Sequence, residues 1–208
     1  MRSKPEVLQN AIYVFQNFFT PEECDKIKEL FDEYEKTPAK TIGYNLDNHN
    51  KDFEGDTREE PDVRKGHIKF PDNNNFRKTE YWDRIMMALD HVSQDSGIRV
   101  EDDAVDIQYT IYDNEGDFFD WHKDDVVGLA QFKGNTRKLS GTLQLSDRDE
   151  YEGCELWLRL TGKGDNMVAN KNKGSFIVFP SWLDHKVTKL ESGVRHSLVL
   201  WYSGPAWR

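Results

Sequence analysis

Leu139-Ser140-Gly141-Thr142-Leu143-Gln144-Leu145-Ser146 alternates apolar with small polar residues, the mark of a strand with one apolar and one polar face. Ile107-Gln108-Tyr109-Thr110-Ile111-Tyr112 upstream and Leu156-Trp157-Leu158-Arg159-Leu160 downstream repeat the same period of two. Gly174 is followed by the apolar run Ser175–Pro180, and Arg195–Tyr202 is a further alternating strand. Several short strands parted by Gly- and Asp-rich turns argue for a sandwich or jelly roll.

Towards the N-terminus the period lengthens. Thr20-Pro21-Glu22-Glu23 combines an N-cap threonine, proline at the first helical position and glutamate three residues after the cap. Cys24, Ile27, Phe31 and Tyr34 then recur at helical spacing. A second helix is expected from about Thr79, with Trp82, Ile85, Met86, Leu89 and Val92 as its buried stripe and Gly97 at its end. Helices followed by strands speak against a doubly wound parallel sheet. The expected fold class is α+β, mainly β, with N-terminal helices packed on one sheet. At 208 residues one domain is the natural count, residues 1–100 forming the helical buttress and 101–208 the jelly-roll core.

Composition narrows the partners. The formal net charge of -10 repels phosphate backbones and anionic membranes, so nucleic acid is not expected as a partner. No apolar run approaches the roughly 20 residues that span a bilayer, and Met1–Glu6 lacks the apolar core of a signal peptide. Cys24 and Cys154 are too few for a disulfide framework and fit a reducing, cytoplasmic setting as ordinary buried thiols. Gly43–Asp62, polar and rich in Asn and Asp, is either a disordered loop or a functional lid.

Three motifs carry chemistry. Trp121-His122-Lys123-Asp124 sets an imidazole and a carboxylate two residues apart, on one face of an extended strand. With six His and 38 acids in the chain, about one such pair arises by chance, so alone it is weak. Phe179-Pro180-Ser181-Trp182-Leu183-Asp184-His185 adds a second histidine just after an apolar strand. Two histidines and one carboxylate make the facial triad that holds non-haem iron(II) and leaves coordination sites open for a 2-oxo acid and dioxygen. Third, Arg195 and Ser197 share one face of their strand, and a guanidinium with a hydroxyl is a good receptor for a buried carboxylate. That carboxylate would be the distal one of 2-oxoglutarate. His49, His67, His91 and His196 read as non-ligands.

From Val63 to the C-terminus, and most strongly from Tyr112 to Trp201, the chain resembles the prolyl 4-hydroxylase branch of the iron(II)/2-oxoglutarate oxygenases. The resemblance rests on the order of Tyr112–Asp124, Leu139–Ser146, Tyr151–Leu156, Gly174–Pro180, His185 and Gly193–Leu198. It implies a double-stranded β-helix core, with His122, Asp124 and His185 holding Fe(2+) and Arg195 anchoring the co-substrate, helped by Ser197. It further implies that Tyr112 and Thr142 line the co-substrate pocket, and that Trp201 beside the metal helps seat the substrate. Arg64, at the start of a family-like strand near the mouth, is a candidate substrate contact. Gln144 falls where many relatives carry a tyrosine that touches the same carboxylate, and Cys154 replaces the second glycine of a common Gly-Gly-Glu run. The closing Tyr202-Ser203-Gly204-Pro205 is similar to small microbial or phage-encoded members.

The implied reaction hydroxylates an unactivated carbon, peptidyl proline first, and turns 2-oxoglutarate and dioxygen into succinate and carbon dioxide, with ascorbate as a further possible cofactor. A free amino acid or other small molecule is the alternative substrate. In the peptide reading, Gly43–Asp62 and Val126–Thr136 would flank the mouth as clamping loops. Asp124 favours hydroxylation over halogenation, since halogenating relatives lack this carboxylate. Nucleic-acid demethylases carry a second arginine where this chain has Trp201. A zinc hydrolase would leave Arg195 and Ser197 unexplained, and a non-catalytic jelly-roll module would have no use for the whole set.

Overall fold

The architecture is taken from a computed structural model that describes residues 5–8, 11–42, 57–71, 75–101, 104–125, 135–160 and 166–205. Residues 43–56 of the expected lid and 126–134 of the second loop, with His49, lie outside the described residues. In chain order the first strands are β1 (Glu6–Leu8), β2 (Ile12–Phe15), β3 (Thr37–Pro38), β4 (Thr41–Ile42), β5 (Thr57–Arg58), β6 (Arg64–Lys65) and β7 (His67–Lys69). Then come β8 (Val105–Tyr112), β9 (Phe118–His122), β10 (Asn135–Gln144), β11 (Tyr151–Gly153), β12 (Leu156–Arg159) and β13 (Asn166–Val168). The last are β14 (Phe176–Pro180), β15 (His185–Val187), β16 (Leu190–Gly193) and β17 (Arg195–Pro205).

Eight strands form the main sheet in the order β1-β2-β14-β10-β17-β8-β7-β3. Five form the second sheet in the order β13-β12-β15-β9-β6, and every pairing is antiparallel. The two sheets face one another, because Ile12, Val14, Ile177 and Phe179 of the first pack with Leu156, Leu158 and Val187 of the second. The outer face of the main sheet is covered by the helices α1 (Pro21–Leu30) and α2 (Glu80–Ser96). Leu139, Leu143, Leu198 and Leu200 pack there against Ile27, Phe31, Ile85, Leu89 and Val92.

The helix ends follow the chemistry of their caps. Thr20 accepts from the Glu23 amide while Glu23 reaches back to the Thr20 amide, the reciprocal box read from the sequence. Thr79 caps α2, and Gly97 closes it at φ 70, a left-handed conformation that glycine adopts without a Cβ clash. Met86 is only half-buried, and Ala88 takes part in the stripe in its stead. The N-terminal third is less purely helical than expected, since β1 and β2 extend the main sheet through β14. Ile12–Phe15 is buried at all four positions, so it offers no alternation to read.

His196 points to the helix side of the main sheet, where its Nδ1 lies 2.9 Å from the Tyr109 hydroxyl. Burial, reinforced by the charge of Lys28, lowers its pKa from 6.5 to about 4. The unfolded chain therefore binds a proton that the folded chain refuses across that window. Stability from this group is complete above pH 6.5 and is lost as pH falls through about 4. The melting temperature is expected to drop between pH 7 and pH 5, and His196→Gln should flatten part of that drop in calorimetric scans; an unchanged slope would remove His196 as a cause.

Candidate metal and co-substrate site

Between the sheets lies a cavity whose walls hold most of the residues singled out from the sequence. His122 ends β9 and His185 opens β15, and the two are direct cross-strand partners. Their rings sit 4.1 Å apart, centre to centre. Asp124 follows β9 in a turn pinned by the Ser181 carbonyl, which accepts from the amides of Asp124 and Asp125 at 2.9 and 3.1 Å. Ligand atoms of His122, Asp124 and His185 all fall within 4.8 Å of one another, a set able to hold a metal ion.

The surrounding hydrogen bonds orient that set. His122 Nδ1 lies 2.7 Å from the Asp120 carbonyl and His185 Nδ1 lies 2.9 Å from the Leu183 carbonyl. Both rings thus donate through Nδ1 and keep Nε2 for a cation. Their Nε2 atoms face Asp124 at 3.7 and 3.3 Å respectively. Ser140 Oγ donates to Asp124 Oδ2 at 2.6 Å, and Ser140 is in turn 2.9 Å from the Ser181 hydroxyl. Phe119 stacks on the His122 ring at 3.5 Å, and the Arg64 guanidinium lies over the Phe119 ring at 4.5 Å.

Electrostatics follow from this packing. Burial alone would push the Asp124 carboxyl up, but His185 and then His122 outweigh it and hold it well below the usual carboxylate range. Burial, with the neighbouring His185, lowers His122 to about 3, so its imidazole is neutral. For His185 burial also favours the neutral ring, yet Asp124 prevails and raises its pKa. A buried carboxylate kept ionised beside two imidazoles, each with its second nitrogen already engaged, is the donor set expected of an iron(II) site.

Arg195, Ser197, Tyr112, Thr142, Trp201 and Arg64 line the same cavity, as does Ser140. Register explains the convergence: Arg195 pairs with Tyr112, and Ser197 with Thr110, across β17 and β8. Arg195 is 1% exposed and stays a cation, since a guanidinium keeps its proton above pH 12. Gln144 is not on the cavity wall; its Oε1 accepts from Arg195 Nη2 at 2.9 Å and Nε at 3.3 Å. Trp201 carries the Arg137 guanidinium on its ring at 3.9 Å, and its own indole N–H is buried without a partner. Cys154 is free, buried and at φ 48, a left-handed conformation that glycine adopts more readily than a residue with a Cβ. Burial pushes its thiol up to about 11.

Sequence reading missed Ser140, Ser181, Phe119 and Arg137. Ser140 lay on the polar face of an alternating strand and could have been inferred from that pattern. The other three come from segments with no readable periodicity. A second cluster, His67, Asp113 and Asp117, is tied up within the protein. Asp113 receives His67 Nδ1 at 2.7 Å and Lys36 Nζ at 2.6 Å, while Asp117 caps the amides of Asp113 and Asn114.

Residues 107–203, which span every one of these donors except Arg64, match the model of the 2OG-Fe(II) oxygenase superfamily. Among curated proteins, a PKHD-type hydroxylase of Shewanella oneidensis is 36% identical over 87 residues, 41% of this chain and 38% of that protein. A PKHD-type hydroxylase of Synechococcus is 35% identical over 86 residues, 41% of this chain and 36% of that protein. The matched stretch thus covers well under half of these relatives' length.

Two solved structures share this fold. A Pseudomonas putida prolyl-4-hydroxylase superposes with a TM-score of 0.67 at 18% identity, covering 95% of each chain. A Trichoplax adhaerens prolyl hydroxylase, solved with a hypoxia inducible factor peptide fragment, gives 0.64 at 14% identity, covering 93% of this chain and 84% of that one. The facing sheets are therefore the double-stranded β-helix expected from the sequence.

Ser140→Ala would leave Asp124 Oδ2 without its shortest hydrogen bond while keeping all three metal donors. This variant is expected to bind manganese(II) about 10- to 100-fold more weakly than wild type, the usual cost of losing an outer partner of a metal ligand. Titration followed by electron paramagnetic resonance reads this, and equal affinity would assign Ser140 a packing role only.

Proposed function

We propose that the chain is an iron(II)-, 2-oxoglutarate- and dioxygen-dependent hydroxylase of an unactivated carbon, with peptidyl proline as its first substrate class. One observation carries the reading: a single cavity holds the His122, Asp124 and His185 donors and also a buried arginine, Arg195. A metal site alone suits many reactions. A metal site sharing a cavity with a fixed guanidinium suits an acid that chelates at one end and is anchored at the other.

In this proposal His122 Nε2, His185 Nε2 and the Asp124 carboxylate hold the metal, and Arg195 with Ser197 takes the distal carboxylate of 2-oxoglutarate. When bound, iron(II), 2-oxoglutarate and dioxygen supply the oxidising chemistry that places a hydroxyl on carbon and releases succinate and carbon dioxide. The protein's own work is placement and exclusion of water. Tyr112, whose phenol burial pushes up to about 12, lines the co-substrate pocket as a neutral donor, with Thr142 beside it. Leu156, Val187 and Phe179 close the remaining wall with apolar surface, which keeps solvent from the metal. Trp201 and Arg64 are assigned to the substrate side.

Peptidyl proline is favoured by the resemblance to prolyl hydroxylases in sequence order and in fold. Residues 1–208 acting as one domain, a cytoplasmic location in a bacterial or phage-infected cell, and ascorbate as the reductant belong to the same proposal. The net charge of -10 supports a protein or peptide partner over nucleic acid. Among the described residues no helix is long and apolar enough to cross a membrane.

Anaerobic addition of iron(II) and 2-oxoglutarate should give wild type a weak visible metal-to-ligand band that His122→Ala and Arg195→Ala lack. Admitting oxygen with proline-containing peptides should then release succinate in step with a 16 Da gain on the peptide, the mass of one oxygen atom (about 16). No band and no binding of 2-oxoglutarate would sink the oxygenase reading. A band with turnover only on small molecules would move the substrate class and leave the site assignment standing.

A further inference from the structure

Gln144 holds an unusual station. Both it and Arg195 are buried, at 2% and 1% exposure, and its Oε1 takes two N–H groups of the one guanidinium. The backbone of Gln144 is itself fixed: its amide donates to the Ser175 carbonyl at 2.9 Å, and its carbonyl accepts from the Gly174 amide at 2.8 Å. The side chain therefore leaves from a rigid point next to the edge of β14. The Nε–Nη2 edge it occupies is one of the two edges, the other being Nη1–Nη2, at which a guanidinium can pair bidentately with a carboxylate. Here a neutral oxygen fills that edge instead. Among the described residues no carboxylate forms an ion pair with Arg195.

We propose that Gln144 is a positioning residue for Arg195: a neutral clamp that aims the rest of the guanidinium into the cavity and leaves its charge uncancelled. By doing so it sets the preference of the site for a 2-oxo acid with a second carboxylate over one without. The inference rests on the co-substrate reading above and deepens it. An acid at position 144 would form an internal ion pair and remove the reason for an anion to enter. An apolar residue would leave the Nε–Nη2 edge without an acceptor and the fork free to turn. Only a neutral acceptor of this length satisfies the edge and preserves the charge.

The test uses the full chain loaded with manganese(II), which is inert to oxygen, and calorimetric titration with two ligands. 2-Oxoglutarate reports both ends of the site, whereas 2-oxobutyrate lacks the distal carboxylate and reports the metal end alone. The ratio of the two affinities isolates the Arg195 contribution. Gln144→Glu keeps size and both hydrogen bonds, and it is expected to lower that ratio by about tenfold or more, the scale of one charged hydrogen bond. Gln144→Leu should lower it too, with 2-oxobutyrate binding unchanged in both variants.

A general structural defect would weaken both ligands alike and leave the ratio at its wild-type value. A wild-type ratio in folded Gln144→Glu and Gln144→Leu, checked by thermal melts, would overturn the proposal. If neither variant folds, Gln144→Asn, which retracts the amide by one methylene, carries the same test. Failure of wild type itself to bind 2-oxoglutarate would instead strike the co-substrate reading, so the two failures are told apart.

Discussion

Asp124 is an ionised carboxylate with 6% of its surface exposed, and the arrangement of the site depends on how that charge is met. An unpaired buried charge costs several kcal/mol, so its neighbours have to be supplied from fixed points in the chain. The charge is met by the Ser140 hydroxyl on β10, by His185 at the head of β15 and by His122 at the end of β9, while the Ser181 carbonyl just beyond β14 holds the Asp124 amide and the Ser181 hydroxyl holds Ser140. β10 and β14 belong to the main sheet, and β15 belongs to the second. The carboxylate thus sits where the two sheets are tied together. Moving β10 by one residue would turn Ser140 to the helix side and leave Asp124 without its hydroxyl.

That register also explains why the main sheet has two interiors of opposite character. On the helix side Leu139, Leu143, Leu198 and Leu200 form part of a continuous apolar core. On the other side the same strands present Ser140, Thr142 and Ser197, small hydroxyl groups that leave space. The period of two in these strands therefore separates a core from a cavity rather than a core from solvent. Charge is divided the same way. The chain as a whole is acidic, at -10, yet Arg64 and Arg195 line the cavity and Arg137 adjoins it, against the single carboxylate of Asp124. A local excess of positive charge inside an acidic protein concentrates small dianions there while the outer field turns polyanions away.

Much of this was legible because the determinants are local. The capping box at Thr20, the stop at Gly97 and the alternation in β8, β10 and β17 each follow from a few adjacent residues. The donors were legible because an imidazole and a carboxylate two apart on a strand must share a face, and because Arg195 and Ser197 do likewise. What escaped was set by contacts distant in sequence. Arg137 reaches Trp201 only because β10 and β17 pair in a register that a bulge at Lys138 shifts. Phe119 reaches the His122 ring because β9 departs from regular alternation beside β15. The sheet-extending role of Ile12–Phe15 was hidden by burial on both faces.

Gln144 and Cys154 meet at the same guanidinium, and together they bear on what the cavity requires. Burial raises the Tyr112 phenol to about 12 and the Cys154 thiol to about 11, and it raises Tyr151 as well. All three are neutral at physiological pH, as Gln144 is at any pH. Arg195 faces each of them, with its guanidinium carbon 5.6 Å from the Tyr112 ring centre. The buried Tyr151 hydroxyl lies beside the same guanidinium. The protein thus encloses a permanent cation among uncharged groups, and among the described residues no carboxylate pairs with it. Such a cation is tolerable only if polar atoms solvate it and an anion completes it. Gln144 does the first, and under the proposed function the distal carboxylate of 2-oxoglutarate would do the second, which gives a physical reason for neutral side chains around Arg195.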